Sequence, residues 1–138
     1  MKKIYLDSCF IIYLIESNER FSTQAAQAFK QAAQQGAHFY ITDLTRLECR
    51  TYPIKQQNFD VLEDYDTFFN TAIQQLQPIS SLVFDQATQL RAQHGLKTPD
   101  ALHLAAAICA QCHEFWTNDL HLQDAAAYHL RVVNIFQS

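Results

Sequence analysis

Glycine is nearly missing from this chain: only Gly36 and Gly95 occur in 138 residues. That scarcity excludes a glycine-rich turn cradling a nucleotide phosphate, and the first apolar run leads into DSCFII, which has none. No run of about 18 apolar residues is present, so no membrane span is predicted. The opening MKKIYLDSC carries two lysines, but Asp7 interrupts its apolar stretch and no small-residue cleavage site follows. It reads as a first strand rather than a signal peptide, which predicts a cytoplasmic location. Linkers, internal repeats and low-complexity tracts are also missing, so residues 1–138 read as one domain. A chain of this length buries roughly two thirds of its unfolded surface and needs no disulfide staples.

The four cysteines therefore need another explanation. Cys109, Cys112 and His113 spell CAQCH, the pattern of c-type haem attachment. The only methionine is Met1, no export signal is visible, and the motif closes a helix of buried character. Zinc lacks a second closely spaced Cys/His pair. Buried reduced thiols are the expected state.

What is present is a regular alternation. Apolar residues recur with the helical period in Ser22–Gln35, Phe59–Leu76 and Ser81–His94. Gly36 and Gly95 stand just after two of these stretches, where a helix C-terminus favours glycine. A fourth helix is expected in KTPDALHLAAAICA, with Thr98 as its cap and Pro99 at its first position. Between helices lie short β-rich runs: KIYL, HFYIT, EFWT and RVVNI. LQPIS adds a fifth strand at most, and Pro78 confines it to an edge. Strands alternating with helices predict an α/β fold, a parallel sheet of four to five strands covered on both faces.

In such a sheet, ligands gather outside the carboxyl ends of the strands. Asp7 ends the first strand, and Asp119 follows EFWTN. Glu48 lies about one turn into the helix after the second strand if Thr42 or Asp43 caps it. Asp100 opens the apolar helix that leads into EFWT. Each acid also has a purely structural reading, for Asp7 a turn at the strand end that Asn, Gly or Ser would serve as well. Asp100 favours its helix dipole by about 0.3–1 kcal/mol. Glu48 could complete a capping box with Thr45, and Asp119 could cap LHLQDAAA. Four acids at one edge are harder to dismiss together, because like charges raise the cost of ionising each other. A hard cation such as Mg²⁺ or Mn²⁺ reverses that cost, since it takes oxygen ligands and keeps several waters.

Taken together, YLDSCFIIYLIE, ITDLTRLECR, KTPDALHLAAAI and FWTNDLHL resemble the PIN-domain family, in particular the small VapC-type ribonuclease toxins of toxin–antitoxin pairs. The resemblance runs nearly end to end. It implies a Rossmann-like sheet in the order 3-2-1-4-5. It implies that Asp7, Glu48, Asp100 and Asp119 hold Mg²⁺ or Mn²⁺ for cleavage of RNA phosphodiesters. Ser8, Thr117 and Asn118 match the family's polar residues beside the acids, while Cys9 departs from a small polar residue. A small antitoxin and a second copy of the chain are the partners it implies.

Other readings remain open. A PIN nuclease with a non-toxin role in RNA processing fits the same motifs. An aspartyl-nucleophile phosphohydrolase would also place Asp7 at a strand end, but its second Asp is replaced by Cys9. His103 is expected to pack or hydrogen-bond rather than to catalyse. Arg46, Arg50, Arg91, Lys55 and Lys97 are either phosphate contacts or ordinary surface charges. The net charge of −4 runs against the basic surfaces that usually bind nucleic acid. Bound cations would offset part of it, and a dimer could assemble a basic patch.

Overall fold

In the first strand, β1 (Lys3–Leu6), side-chain alternation separates two helical layers. Ile4 and Leu6 pack with α1 (Ser8–Ile15), α2 (Ser22–Gln34), α3 (Asp43–Lys55) and α4 (Phe59–Thr71). Tyr5 packs on the other face with α5 (Ser81–His94), α6 (Thr98–Cys109) and α7 (Gln123–Ala126). The computed structural model describes residues 1–17 and 19–136.

The remaining strands are β2 (His38–Ile41), β3 (Gln75–Leu76), β4 (Glu114–Trp116) and β5 (Arg131–Val133). They form one parallel sheet in the order β3-β2-β1-β4-β5, with Tyr5 opposite Tyr40 on one side and Phe115 on the other. The α/β class and the strand order agree with expectation. The order reverses at β1, so the crevice between β1 and β4 is the natural ligand position.

Helix α6 is the buried rod that its composition predicts. Ala101, His103, Leu104, Ala105, Ala106 and Ala107 are all buried, and the small alanines let α6 pack closely between α5 and the sheet. Tyr5 stacks on Phe115 at 5.2 Å between ring centroids, which fixes the α6 side of β1. Fully burying side chains of this size contributes about 1.5–3 kcal/mol each.

Several local expectations need correction. Lys97, not Thr98, is the N-cap of α6, and Thr98–Pro99 occupy its first two positions. Helix α4 stops at Thr71 rather than Leu76, because Gln75 and Leu76 leave it to pair with Tyr40 and Ile41. Gly36 and Gly95 do follow helices, both with positive φ (82° and 66°), which glycine adopts without strain. Cys112 is buried as expected, but Cys109 is exposed at the last turn of α6 and Cys9 is half-buried. Among the described residues, no helix is long and apolar enough to cross a membrane.

Candidate functional site

The sheet turns four acids toward one neighbourhood. Asp7 ends β1 and caps α1, its Oδ1 accepting the Ser8 N–H at 2.8 Å. Its Oδ2 accepts the Thr117 hydroxyl at 2.8 Å. Thr117 is fully buried just beyond β4, and its oxygen accepts the Asp119 N–H at 3.1 Å. On the other side the Ser8 hydroxyl donates to Glu48 Oε1 at 2.8 Å. A continuous chain of hydrogen bonds thus joins Glu48, Ser8, Asp7, Thr117 and Asp119.

Asp100 enters from the first turn of α6. Among the described residues its carboxylate takes part in no hydrogen bond or ion pair. Burial raises its pKa, and the charges of Asp7, Asp119 and Glu48 raise it further, opposed only by His103. All three other acids therefore lie within electrostatic reach. Glu48 shifts the other way. Burial alone would raise it, but the His103 hydrogen bond and charge and the Ser8 hydroxyl together bring it below its ordinary value. All four acids are half-buried, neither sealed in the core nor fully solvated.

The helix-end readings are partly real as well. Asp119 Oδ1 accepts the His121 N–H at 2.9 Å and caps the short 3₁₀ turn Leu120–Leu122. Glu48 has no capping role. The capping box of α3 pairs Thr42 with Thr45, and Glu48 sits beyond it on the same helix. Asn118 does not join the acids; its amide donates to Tyr13 at 2.9 Å. Cys9 lies beside Asp7, 3.9 Å from Oδ2, and burial with the Asp7 charge pushes its thiol up to about 11. Without a cation it stays protonated near neutral pH.

Of the candidate basic residues, Arg46 pairs with Asp43 at 2.9 Å and Arg50 with Asp66 at 2.8 Å. Arg91 donates to the Leu96 carbonyl at 3.0 Å, and Lys55 and Lys97 are exposed. Among the described residues, no lysine or arginine pairs with Asp7, Glu48, Asp100 or Asp119. The donor set is all hard carboxylate oxygen with no lysine or arginine paired to it among the described residues, which suits Mg²⁺ or Mn²⁺. No group of three or more His, Cys, Asp or Glu side chains among the described residues forms a ready metal-ion site. An ion held by one or two carboxylates and several waters needs no such closed cage.

Sequence reasoning assigned His103 a packing or hydrogen-bonding role, and it is 2 % exposed with both ring nitrogens engaged. Behind His103 lie Thr42 and Thr45, which the sequence offers only as helix-cap residues, and Tyr5, to which it does not point. The available signal was strand alternation, which turns Tyr5 away from Ile4 and Leu6 toward the α6 side.

The PIN-domain family model matches residues 4–128, and this chain belongs to the PIN-domain family. Its fold is similar to that of VapBC2 from Rickettsia felis, solved bound to a DNA fragment from its promoter. The TM-score is 0.77 at 16% identity, covering 96% of this chain and 98% of the other. A toxin–antitoxin complex from Klebsiella pneumoniae matches at TM-score 0.72 and 20% identity, over 98% of this chain and 99% of the other. FitAcB from Neisseria gonorrhoeae matches at TM-score 0.75 and 17% identity, over 98% and 99% of the two chains. The sequence has no match among curated proteins.

Proposed function

We propose that this PIN domain is a metal-dependent endoribonuclease and the toxin half of a toxin–antitoxin pair. The observation that carries the reading is that Asp7, Asp119 and Glu48 all lie within electrostatic reach of Asp100 at the carboxyl edge of the sheet, with no lysine or arginine paired to any of the four among the described residues. Structural economy would pair or disperse such charges. A site that recruits divalent cations gains from leaving them unpaired.

A bound Mg²⁺ or Mn²⁺ supplies a Lewis acid for the phosphodiester and lowers the pKa of a water. The protein's part is to present oxygen ligands in fixed places. Asp7 is held through both carboxylate oxygens by Ser8 and Thr117. Asp119 is fixed through its backbone by Thr117, and Glu48 by Ser8 and His103. Asp100, raised in pKa and unbonded, has the most to gain from a cation. In the reaction a water oxygen bonds to phosphorus, the bond to the leaving ribose oxygen breaks, and that oxygen takes up a proton.

The toxin role is supported by the fold shared with chains from complexes described as VapBC or toxin–antitoxin. It brings with it a small cognate antitoxin, a homodimer and a cytoplasmic location. The paired arginines and the net charge of −4 leave little basic surface, so RNA affinity rests on cations or on a patch assembled by two copies. The direct test offers single-stranded RNA and single-stranded DNA to the purified protein with Mg²⁺, with Mn²⁺ and with EDTA. Cleavage of RNA with either ion and none in EDTA is expected. Full activity in EDTA overturns the metal mechanism. Expression that leaves growth unaffected, with RNA cleavage intact, transfers the enzyme to a non-toxin role.

A further inference from the structure

Behind Glu48 lies a polar track that the cleavage reading does not require. His103 Nε2 meets Glu48 Oε1 at 2.5 Å, and His103 Nδ1 meets the Tyr5 hydroxyl at 2.7 Å. The Tyr5 oxygen is in turn 3.1 Å from Thr42 Oγ1 and 3.4 Å from Thr45 Oγ1. His103 and Tyr5 are 2 % and 0 % exposed, and the two threonines are 1 % or less. Burying these groups in a wall of alanine and leucine is costly unless each is bonded. A leucine at 103 and a phenylalanine at 5 would nearly fill the same space without that demand.

The direction of the bond to Glu48 follows from elementary donor counting. A carboxylate only accepts, so His103 Nε2 carries the hydrogen given to Glu48. At Nδ1 the ring either accepts from the Tyr5 hydroxyl or donates to its oxygen, and in both cases the two are bonded at 2.7 Å. Burial strongly raises the Tyr5 pKa, so its hydroxyl keeps its hydrogen. Thr45 is anchored in turn, its oxygen accepting the Thr42 N–H at 3.3 Å.

The end of the track is the informative part. Oε1 of Glu48 receives both Ser8 and His103, whereas Oε2 receives no donor among the described residues. We propose that Tyr5 and His103 are positioning residues that fix Glu48 through Oε1 and so reserve Oε2 as a cation ligand. This rests on the cation-binding reading of the four acids. It extends that reading to two buried residues that never touch the ion.

Buried partners that orient a ligand typically change metal affinity by about 10–100-fold when removed. The experiment measures Mn²⁺ affinity of the full chain by electron paramagnetic resonance, without RNA, alongside RNA cleavage and circular dichroism. His103→Leu should weaken Mn²⁺ binding by about 10-fold or more. His103→Gln keeps a side-chain N–H for Glu48 and should recover most of that affinity. Tyr5→Phe keeps the ring on Phe115 and should weaken binding by a smaller factor. In the His103→Leu background Tyr5→Phe should change nothing further, because its effect passes through the imidazole. If His103→Leu fails to fold, Tyr5→Phe decides the matter alone. Folded His103→Leu or Tyr5→Phe protein that binds Mn²⁺ like the wild type, while Glu48→Gln binds weakly, overturns the positioning role and leaves the acid site standing. A wild-type protein that neither binds Mn²⁺ nor cleaves RNA overturns both.

Discussion

Glu114 and Asp100 are half-buried acids at opposite edges of one sheet, and their surroundings treat them in opposite ways. Glu114 begins β4 at the amino edge. Lys2 pairs with it at 2.9 Å and the Trp116 indole donates to it at 2.9 Å. Burial would raise its pKa, but those two bonds and the charges of Lys2 and Arg131 bring it below its ordinary value. Asp100 faces the carboxyl edge among three other acids, and its pKa is raised. The same sheet pairs Glu114 at its amino edge. It leaves Asp100 without a hydrogen bond or ion pair among the described residues where the strand order reverses.

The contrast is broken most directly through activity. Asp7→Asn should lower RNA cleavage by at least about 100-fold while Glu114→Gln stays within about 2-fold of wild type, since the proposed function puts only Asp7 in the acid site. Cleavage rates over matched protein amounts give the comparison. Similar losses in both variants would make the two edges functionally alike.

Thermal melts sharpen it next. The folded-state pKa of Asp100 is raised, so in EDTA its contribution to stability falls as pH rises from 3.8 through the raised value. At neutral pH Asp100→Asn should then melt at or above wild type, with the advantage vanishing in acid. Glu114 has a lowered folded-state value, so its contribution is present above 4.5 and is lost as pH falls through that lowered value. Glu114→Gln should therefore melt lower at neutral pH, by an equivalent of about 1 kcal/mol, and match wild type in acid. With a dissociation constant on the order of 1 mM, about 10 mM Mg²⁺ stabilises the wild type by roughly 1.4 kcal/mol, a few degrees. Glu114→Gln should keep that shift and Asp100→Asn should lose much of it. An Asp100→Asn protein that melts lower in EDTA and keeps the full Mg²⁺ shift returns Asp100 to its helix-dipole role alone.

The smallest effects concern the cysteines near the amino edge. Cys109→Ala should stay within about 0.5 kcal/mol of wild type, while Cys112→Ala should cost about 1 kcal/mol through lost packing. A thiol reagent should label Cys109 in the folded protein and spare Cys112, and mass spectrometry of the digest shows which was reached. Zinc at one per chain in the purified protein would replace packing by a metal role.

The class of fold was legible because it rests on repeating signals. Helical periodicity and β-rich runs such as KIYL and EFWT belong to single segments and survive without knowledge of their neighbours. The positions of Asp7, Glu48, Asp100 and Asp119 followed from where those segments end. What escaped depended on pairing between segments. Leu76 fits the helical period of Phe59–Thr71, yet Gln75–Leu76 is drawn into the sheet by Tyr40 and Ile41. Cys109 closes an apolar helix, but whether its last turn is covered depends on what packs there, and nothing local reports that. The partnership of Tyr5 with His103 joins residues far apart in the chain and leaves no periodic trace.

The strand order has a consequence for how the site comes into being. Asp7 and Glu48 belong to the portion of the chain that builds β1, β2 and β3, while Asp100 and Asp119 arrive with α6 and β4. During synthesis, at about 5–20 residues per second, the central strand must wait for its second neighbour until most of the chain has emerged. The first half can collapse around Ile4, Leu6 and Phe39, but it carries half of the acids. Assembly of the site is thereby coupled to the pairing of β4 with β1, a slow, long-range step. A truncated or stalled chain ending before β4 carries Asp7 and Glu48 without Asp119, and lacks the Thr117 that would anchor Asp7.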